Sequence, residues 1–165
     1  MYFYEFEEIF LIFHNVSFRE NHWKLWLERI EKINCLVYLK RYRKVKKIKD
    51  IEKLELLYLV NNKIKRIEGL ESLTNLQRLY LNNNKIKKIE GLESLTNLKY
   101  LYLHNNKIKK IEGLESLIGL QYLDLTYNKI KKIEGLESLT NLQRLDLSNN
   151  GIETIPEKYK NIIRI

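Results

Sequence analysis

The chain has 165 residues, which fits one compact domain or one short repeat array and argues against a second independent domain. Hydrophobic residues make up 44% and charged residues 31%, a balance that excludes a disordered chain and allows both a core and a soluble surface. Lys and Arg outnumber Asp and Glu by 30 to 21, and the net charge of +9 gives a general leaning toward acidic partners without naming one.

In chain order, residues 2 to 13 come first and are aromatic-rich, with Tyr2, Phe3, Tyr4, Phe6, Phe10 and Phe13. The apolar run Ile9 to Phe13 follows Glu5, Glu7 and Glu8 instead of a basic segment, and it is too short for a membrane span or a secretory core, so no export signal is read. Ser17 and Glu20 form a capping box, and Trp23, Trp26, Leu27, Ile30 and Ile33 share one helical face. The spacing predicts a helical N-terminal cap over residues 1–34. Cys35 is the one cysteine, so no internal disulfide can form and a reducing, cytoplasmic compartment is expected.

Residues 35–53 read as a degenerate first repeat, because Lys44-Val45-Lys46-Lys47-Ile48 echoes Lys107-Ile108-Lys109-Lys110-Ile111. Its strand register has two readings: alternation turns Val37 and Leu39 inward, whereas counting back from Val45 puts Tyr38 and Lys40 at those places. Lys and Arg crowd residues 40–49.

From residue 54 one phrase recurs every 22 residues, opened by Leu54, Leu76, Leu98, Leu120 and Leu142. Regular repeats span 54–75, 76–97, 98–119 and 120–141, followed by a last repeat over 142–161. Within a repeat, positions 1, 4, 6, 11, 14, 17 and 20 are apolar and position 9 is Asn. Positions 4 to 6 alternate as a strand does, and the later apolar residues recur every third residue, as in 3₁₀-like coils. Each repeat is therefore one strand, one turn and one return, stable only when stacked on its neighbours. Asn62, Asn84, Asn106, Asn128 and Asn150 form a ladder whose buried amides satisfy the backbone where the strand turns away. Glu and Gly at positions 15 and 16 punctuate the return. Lys ladders at positions 10, 12 and 13, interleaved with Glu ladders at 15 and 18, read as a solvated, mutually screened surface. At the terminus Asn161-Ile162-Ile163-Arg164-Ile165 repeats the start of Asn141-Leu142-Gln143-Arg144-Leu145, so a strand begins at 162–165. Either that strand closes the array or an open edge remains, and weak homodimerisation through a terminal surface is expected.

These phrases resemble the leucine-rich repeat consensus LxxLxLxxNxI, and the continuation IxxIEGLESL resembles the 22-residue class that includes the nuclear regulatory subunit of protein phosphatase 1, a dynein light chain and the bacterial internalins. The resemblance covers residues 54 to 155. It implies an α/β-class, right-handed solenoid with a parallel β-sheet on the concave face, 3₁₀ or irregular returns on the convex face, and protein recognition as the function.

With positions 4 and 6 inward, positions 3, 5 and 7 project from the concave sheet and 8 lies at its rim. Between residues 76–97 and 120–141 the four differences are Arg78 to Tyr122, Tyr80 to Asp124, Asn82 to Thr126 and Asn83 to Tyr127, all at those positions. The expected protein-binding residues are Tyr58, Arg78, Tyr80, Asn82, Tyr100, Tyr102, His104, Tyr122, Asp124, Tyr127, Arg144 and Asp146, with aromatic area from the tyrosines, bidentate anchors from Arg78 and Arg144, and an acidic end at Asp124 and Asp146. His14, His22 and His104 have no metal-ligand spacing, and no glycine-rich phosphate loop is present, so no enzymatic activity, metal or cofactor is expected. Two other functions are weighed: nucleic-acid binding through residues 40–49 and the Lys ridge, and an internalin-like adhesin, which the missing signal peptide disfavours.

Overall fold

The computed structural model describes residues 55–165. The N-terminal helical cap over 1–34, the first repeat over 35–53 and the basic segment over 40–49 lie outside the described residues. The described part is a solenoid built on one six-stranded parallel sheet whose strands follow sequence order. These are β1 (Leu56–Tyr58), β2 (Arg78–Tyr80), β3 (Tyr100–Tyr102), β4 (Tyr122–Asp124), β5 (Arg144–Asp146) and β6 (Ile163–Arg164). Leu57, Leu79, Leu101, Leu123 and Leu145 pair in register across β1 to β5, so the 22-residue period of the sequence is the period of the sheet.

The inward positions are those read from the sequence. Leu79, Leu81, Ile86, Leu92, Leu95 and Leu98 are all fully buried, and the same positions of the neighbouring repeats join them in one continuous core. Each return is two consecutive tight turns: the Leu73 N–H donates to the Leu70 carbonyl at 2.9 Å and the Leu76 N–H to that of Leu73 at 3.0 Å, and Leu95 and Leu98 repeat the pair with Leu92 and Leu95.

The Asn ladder closes the opposite corner. Asn84 Nδ2 donates to the carbonyls of Leu59, Leu81 and Asn82 while its Oδ1 accepts the Ile64 N–H, so one amide ties two rungs together. Asn106, Asn128 and Asn150 do the same. Glycine at position 16 is required by geometry: Gly113 has φ +70, and a Cβ there would sit 2.2 Å from the Ile89 carbonyl oxygen of the rung below.

The last turn departs from the rest. A 3₁₀ helix, η1 (Glu157–Tyr159), follows Pro156, and Tyr159 enters the core, its N–H donating to the Pro156 carbonyl at 3.0 Å as the Leu139 N–H donates to that of Leu136. Ile163 pairs with Leu145 and Arg164 with Asp146, so the final rung returns after 18 residues. The alignment of residues 161–165 with 141–145 is thus corrected by two residues. A slip of two keeps the same side chains inward, because a strand has period two, and alternation alone could not detect it. Ile162 and Ile163 pack against the core and Ile165 is 60% exposed, so β6 covers the end of the array in part.

Candidate functional site

The concave face is defined by positions 3, 5 and 7, whose side chains the strands hold at successive rungs. At position 5, Tyr58 and Tyr80 stack with ring centroids 4.1 Å apart, and Tyr80 and Tyr102 stack at 4.3 Å with planes 5° from parallel. Tyr122 then meets Tyr102 edge-on at 5.2 Å. Ring faces are largely consumed inside this row, so what it turns outward is ring edges and hydroxyls, the electropositive part of each ring. Arg78 lies over the Tyr100 ring and Arg144 over the Tyr122 ring, each at 5.1 Å from the centroid.

The two aspartates of the C-terminal end are held by neighbours within the chain. Asp124 is buried, accepts the Thr126 N–H at 3.0 Å and hydroxyl at 2.8 Å, and faces His104 Nδ1 at 3.0 Å. Asp146 is only 6% exposed; its Oδ2 accepts the Tyr122 hydroxyl at 2.6 Å and Arg144 Nη2 at 2.8 Å. Asp is the shortest side chain that can stand at position 5 and still carry charge, so its neighbours close over it. Both carboxylates of the expected acidic end are thus hydrogen-bonded within the chain, and Asp146 is ion-paired with Arg144. Asn82, expected as a contact residue, is 9% exposed, and its Oδ1 has no donor among the described residues.

Burial is the largest influence on the Tyr122 phenol and raises it far above its ordinary value; the hydrogen bond to Asp146 and the charges of Asp124 and Asp146 add to this, and Arg144 opposes them. Tyr58 and Tyr80 are raised too, again chiefly by burial. A raised folded-state value means that these phenols contribute stability that is fully present below about pH 10, their unfolded value, and is lost as pH rises above it. Absorbance titration at 295 nm should therefore show these tyrosines ionising after the exposed ones, with unfolding free energy falling over the same alkaline range.

Tyr127 stands apart from the row. It is 60% exposed at the rim and has φ 52, the left-handed conformation that Asn61, Asn83, Asn105 and Asn149 occupy in the other rungs. Asn tolerates that conformation and a bulky ring does not, so Tyr127 carries strain with no packing to offset it. Tyr127→Asn should raise stability by about 1 kcal/mol, read as a higher denaturant midpoint with an unchanged slope.

Some variation lies off the concave face. Repeat 98–119 differs from 76–97 at Lys99, Ile118 and Gly119 as well as at Tyr100 and His104. Ile118 is 56% exposed where other copies have Thr, and Gly119 replaces an Asn that elsewhere bonds the preceding rung, as Asn97 does to the Thr74 carbonyl at 2.9 Å. Glu55, Asn75, Gln77, Asn97 and Lys99 line a shallow recess on the strand-entry edge. The signal for Ile118 and Gly119 was present in the sequence, in a copy other than the two compared.

The Lys ladders are exposed as expected, but the screening is not by pairing. Arg66 meets Glu90 at 3.0 Å, and among the described residues it is the one member of these ladders with an ion pair. Glu71, Glu93 and Glu115 turn instead onto the amides of Gly69, Gly91 and Gly113. Among the described residues no group of His, Cys, Asp and Glu is arranged to hold a metal ion, and no helix is long and apolar enough to cross a membrane.

The family model for leucine-rich repeats matches residues 52–94, 74–116 and 118–161. No curated protein matches the chain. Among solved structures, an internalin from Listeria monocytogenes is 26% identical with a TM-score of 0.57, over 78% of this chain and 44% of that one. A leucine-rich-repeat protein of Leptospira interrogans is 31% identical with a TM-score of 0.62, over 70% of this chain and 32% of that one. The functional domain of InlJ from Listeria monocytogenes, which includes a cysteine ladder, is 28% identical with a TM-score of 0.55, over 66% of this chain and 24% of that one. The chain spans less than half the length of each of these structures. They bear on the repeat and on the internalins, and leave the likeness to phosphatase regulators without support. With the repeat matched over most of its length and the solenoid built as that repeat requires, this chain belongs to the leucine-rich-repeat family.

Proposed function

We propose that this protein is a non-catalytic recognition module that binds a protein partner on its concave face. The observation that carries this reading is the continuous row Tyr58, Tyr80, Tyr102 and Tyr122, flanked by Arg78 and Arg144. Stacked aromatic side chains with polar tips bury large area at little cost in rotamer freedom, and exposed Arg adds directional hydrogen bonding, which is the composition of binding hot spots. Tyr127 fits as a rim contact, since its strain is understandable where a partner uses the ring. The test is capture from the native source by the wild-type protein and by a Tyr80→Ala, Tyr102→Ala double variant; equal recovery of a partner by both removes the concave site.

A second reading is favoured by the Lys ladders at positions 10, 12 and 13, which among the described residues are without ion pairs apart from Arg66 and form a basic strip along one flank. That strip suits a nucleic-acid backbone. Binding of labelled DNA or RNA should then weaken steeply between two salt concentrations. Absence of binding at low salt eliminates this reading.

A further inference from the structure

We propose that His104 is a specificity-determining hydrogen-bond acceptor on the concave face, set in that role by Asp124, and that the protein partner places an N–H or O–H donor there and not a carboxylate. This rests on the concave face being the recognition surface and names the chemistry that one of its residues recognises.

Asp124 stands at position 5 of β4 with both carboxylate oxygens engaged. Its Oδ1 accepts the Thr126 N–H at 3.0 Å and the Thr126 hydroxyl at 2.8 Å, and its Oδ2 lies 3.0 Å from His104 Nδ1. A bond between carboxylate and imidazole needs one proton, and that proton resides on the imidazole, the stronger base of the two. Nδ1 is therefore the donor, and in the neutral ring Nε2 is left with a lone pair. The hydrogen bond on one nitrogen thus fixes what the other presents.

Nε2 has no bonding partner among the described residues. The one buried side-chain nitrogen or oxygen without a partner there is Asn82 Oδ1, so Nε2 reaches solvent, on a side chain that is 33% exposed. Beside it at position 7, Asn82 is 9% exposed and Thr126 gives its hydroxyl proton to Asp124. Arg78 and Arg144 can only donate. Asp146, one rung beyond Asp124 at the same position, has its Oδ2 held by Tyr122 and Arg144, so its capacity to accept stays inside the chain. Asp124 differs from it in handing that capacity through an imidazole to the surface.

The experiment uses the whole chain with its histidines nitrogen-labelled, and long-range proton–nitrogen spectra at a pH where the His104 ring is neutral. The expected spectrum has the proton on Nδ1 and the lone pair on Nε2. Asp124→Asn inverts this: its Oδ1 keeps both Thr126 bonds while its Nδ2 turns a donor onto Nδ1, so the ring proton moves to Nε2. The binding probe is the strongest peptide selected from a displayed random library on the wild-type protein and counter-selected on the Tyr80→Ala, Tyr102→Ala variant. Its affinity for Asp124→Asn should fall at least about tenfold, because a donor then faces a donor. His104→Gln, whose Oε1 can stand where Nε2 stood, should bind within about threefold of wild type, and Asp124→Asn should add nothing in that background. A wild-type proton on Nε2, equal affinity of the peptide for wild type and Asp124→Asn, or the same loss from Asp124→Asn with and without His104 overturns the proposal. If no peptide distinguishes the tyrosine double variant, the concave-face reading fails and the partner's donor with it; the tautomer, read on the free protein, tells the two failures apart.

Discussion

Asn106→Ala should destabilise the solenoid by about 3–5 kcal/mol, lowering its melting temperature by roughly 10–20 °C. Asn106 Nδ2 donates to the carbonyls of Leu81, Leu103 and His104, and its Oδ1 accepts the Ile86 N–H at 3.0 Å. Alanine removes every one of these bonds at once from a site that is 7% exposed, and each buried backbone group left alone costs about 1–3 kcal/mol. The comparison is Asn97→Ala. Asn97 is exposed and makes one bond, to the Thr74 carbonyl, so its loss should cost no more than about 1 kcal/mol. Chemical denaturation of both variants gives the contrast directly; equal, small losses would mean that the ladder amides are not what joins the rungs.

The second large effect is on binding. Replacing Tyr80 and Tyr102 together by Ala should weaken partner binding by at least about 100-fold, since an aromatic hot spot contributes about 2 kcal/mol or more and each 1.4 kcal/mol is tenfold. The two rings lie in the middle of the row, and removing them leaves Tyr58 without its stacking neighbour and Tyr122 without its edge contact. The fold should persist, because Leu79, Leu81, Leu101 and Leu103 beneath them are fully buried and untouched. A Tyr80→Phe, Tyr102→Phe pair keeps the rings and removes the hydroxyls. Its smaller loss, about tenfold or less, separates ring area from hydrogen bonding. Titration of an isolated partner by calorimetry measures both variants.

The sequence made the repeat legible because its spacing is strict: Leu79, Leu101, Leu123 and Leu145 had to be equivalent, and alternation turned them inward. The Asn ladder was legible for the same reason, since a polar residue recurring at one place in an apolar frame must be bonded. What escaped depends on neighbours a full turn away. That Asp146 is held by Tyr122 is a contact across 24 residues, and nothing local to Asp146 predicts it. The strain at Tyr127 had a sequence signal, its alignment with Asn in every other copy, but a turn residue's backbone angle is not read from side-chain type alone. The register of β6 escaped because Pro156 and Tyr159 shorten the last return by an amount that leaves the inward face unchanged.

The most direct test of the concave-face account is hydroxyl-radical footprinting of the protein with and without its partner. The account predicts that Tyr58, Tyr80, Tyr100 and Tyr102 become protected while Ile118 and the lysines of positions 10, 12 and 13 keep their reactivity. Protection confined to Ile118 and the lysine flank, with the concave tyrosines as reactive as in the free protein, would contradict it.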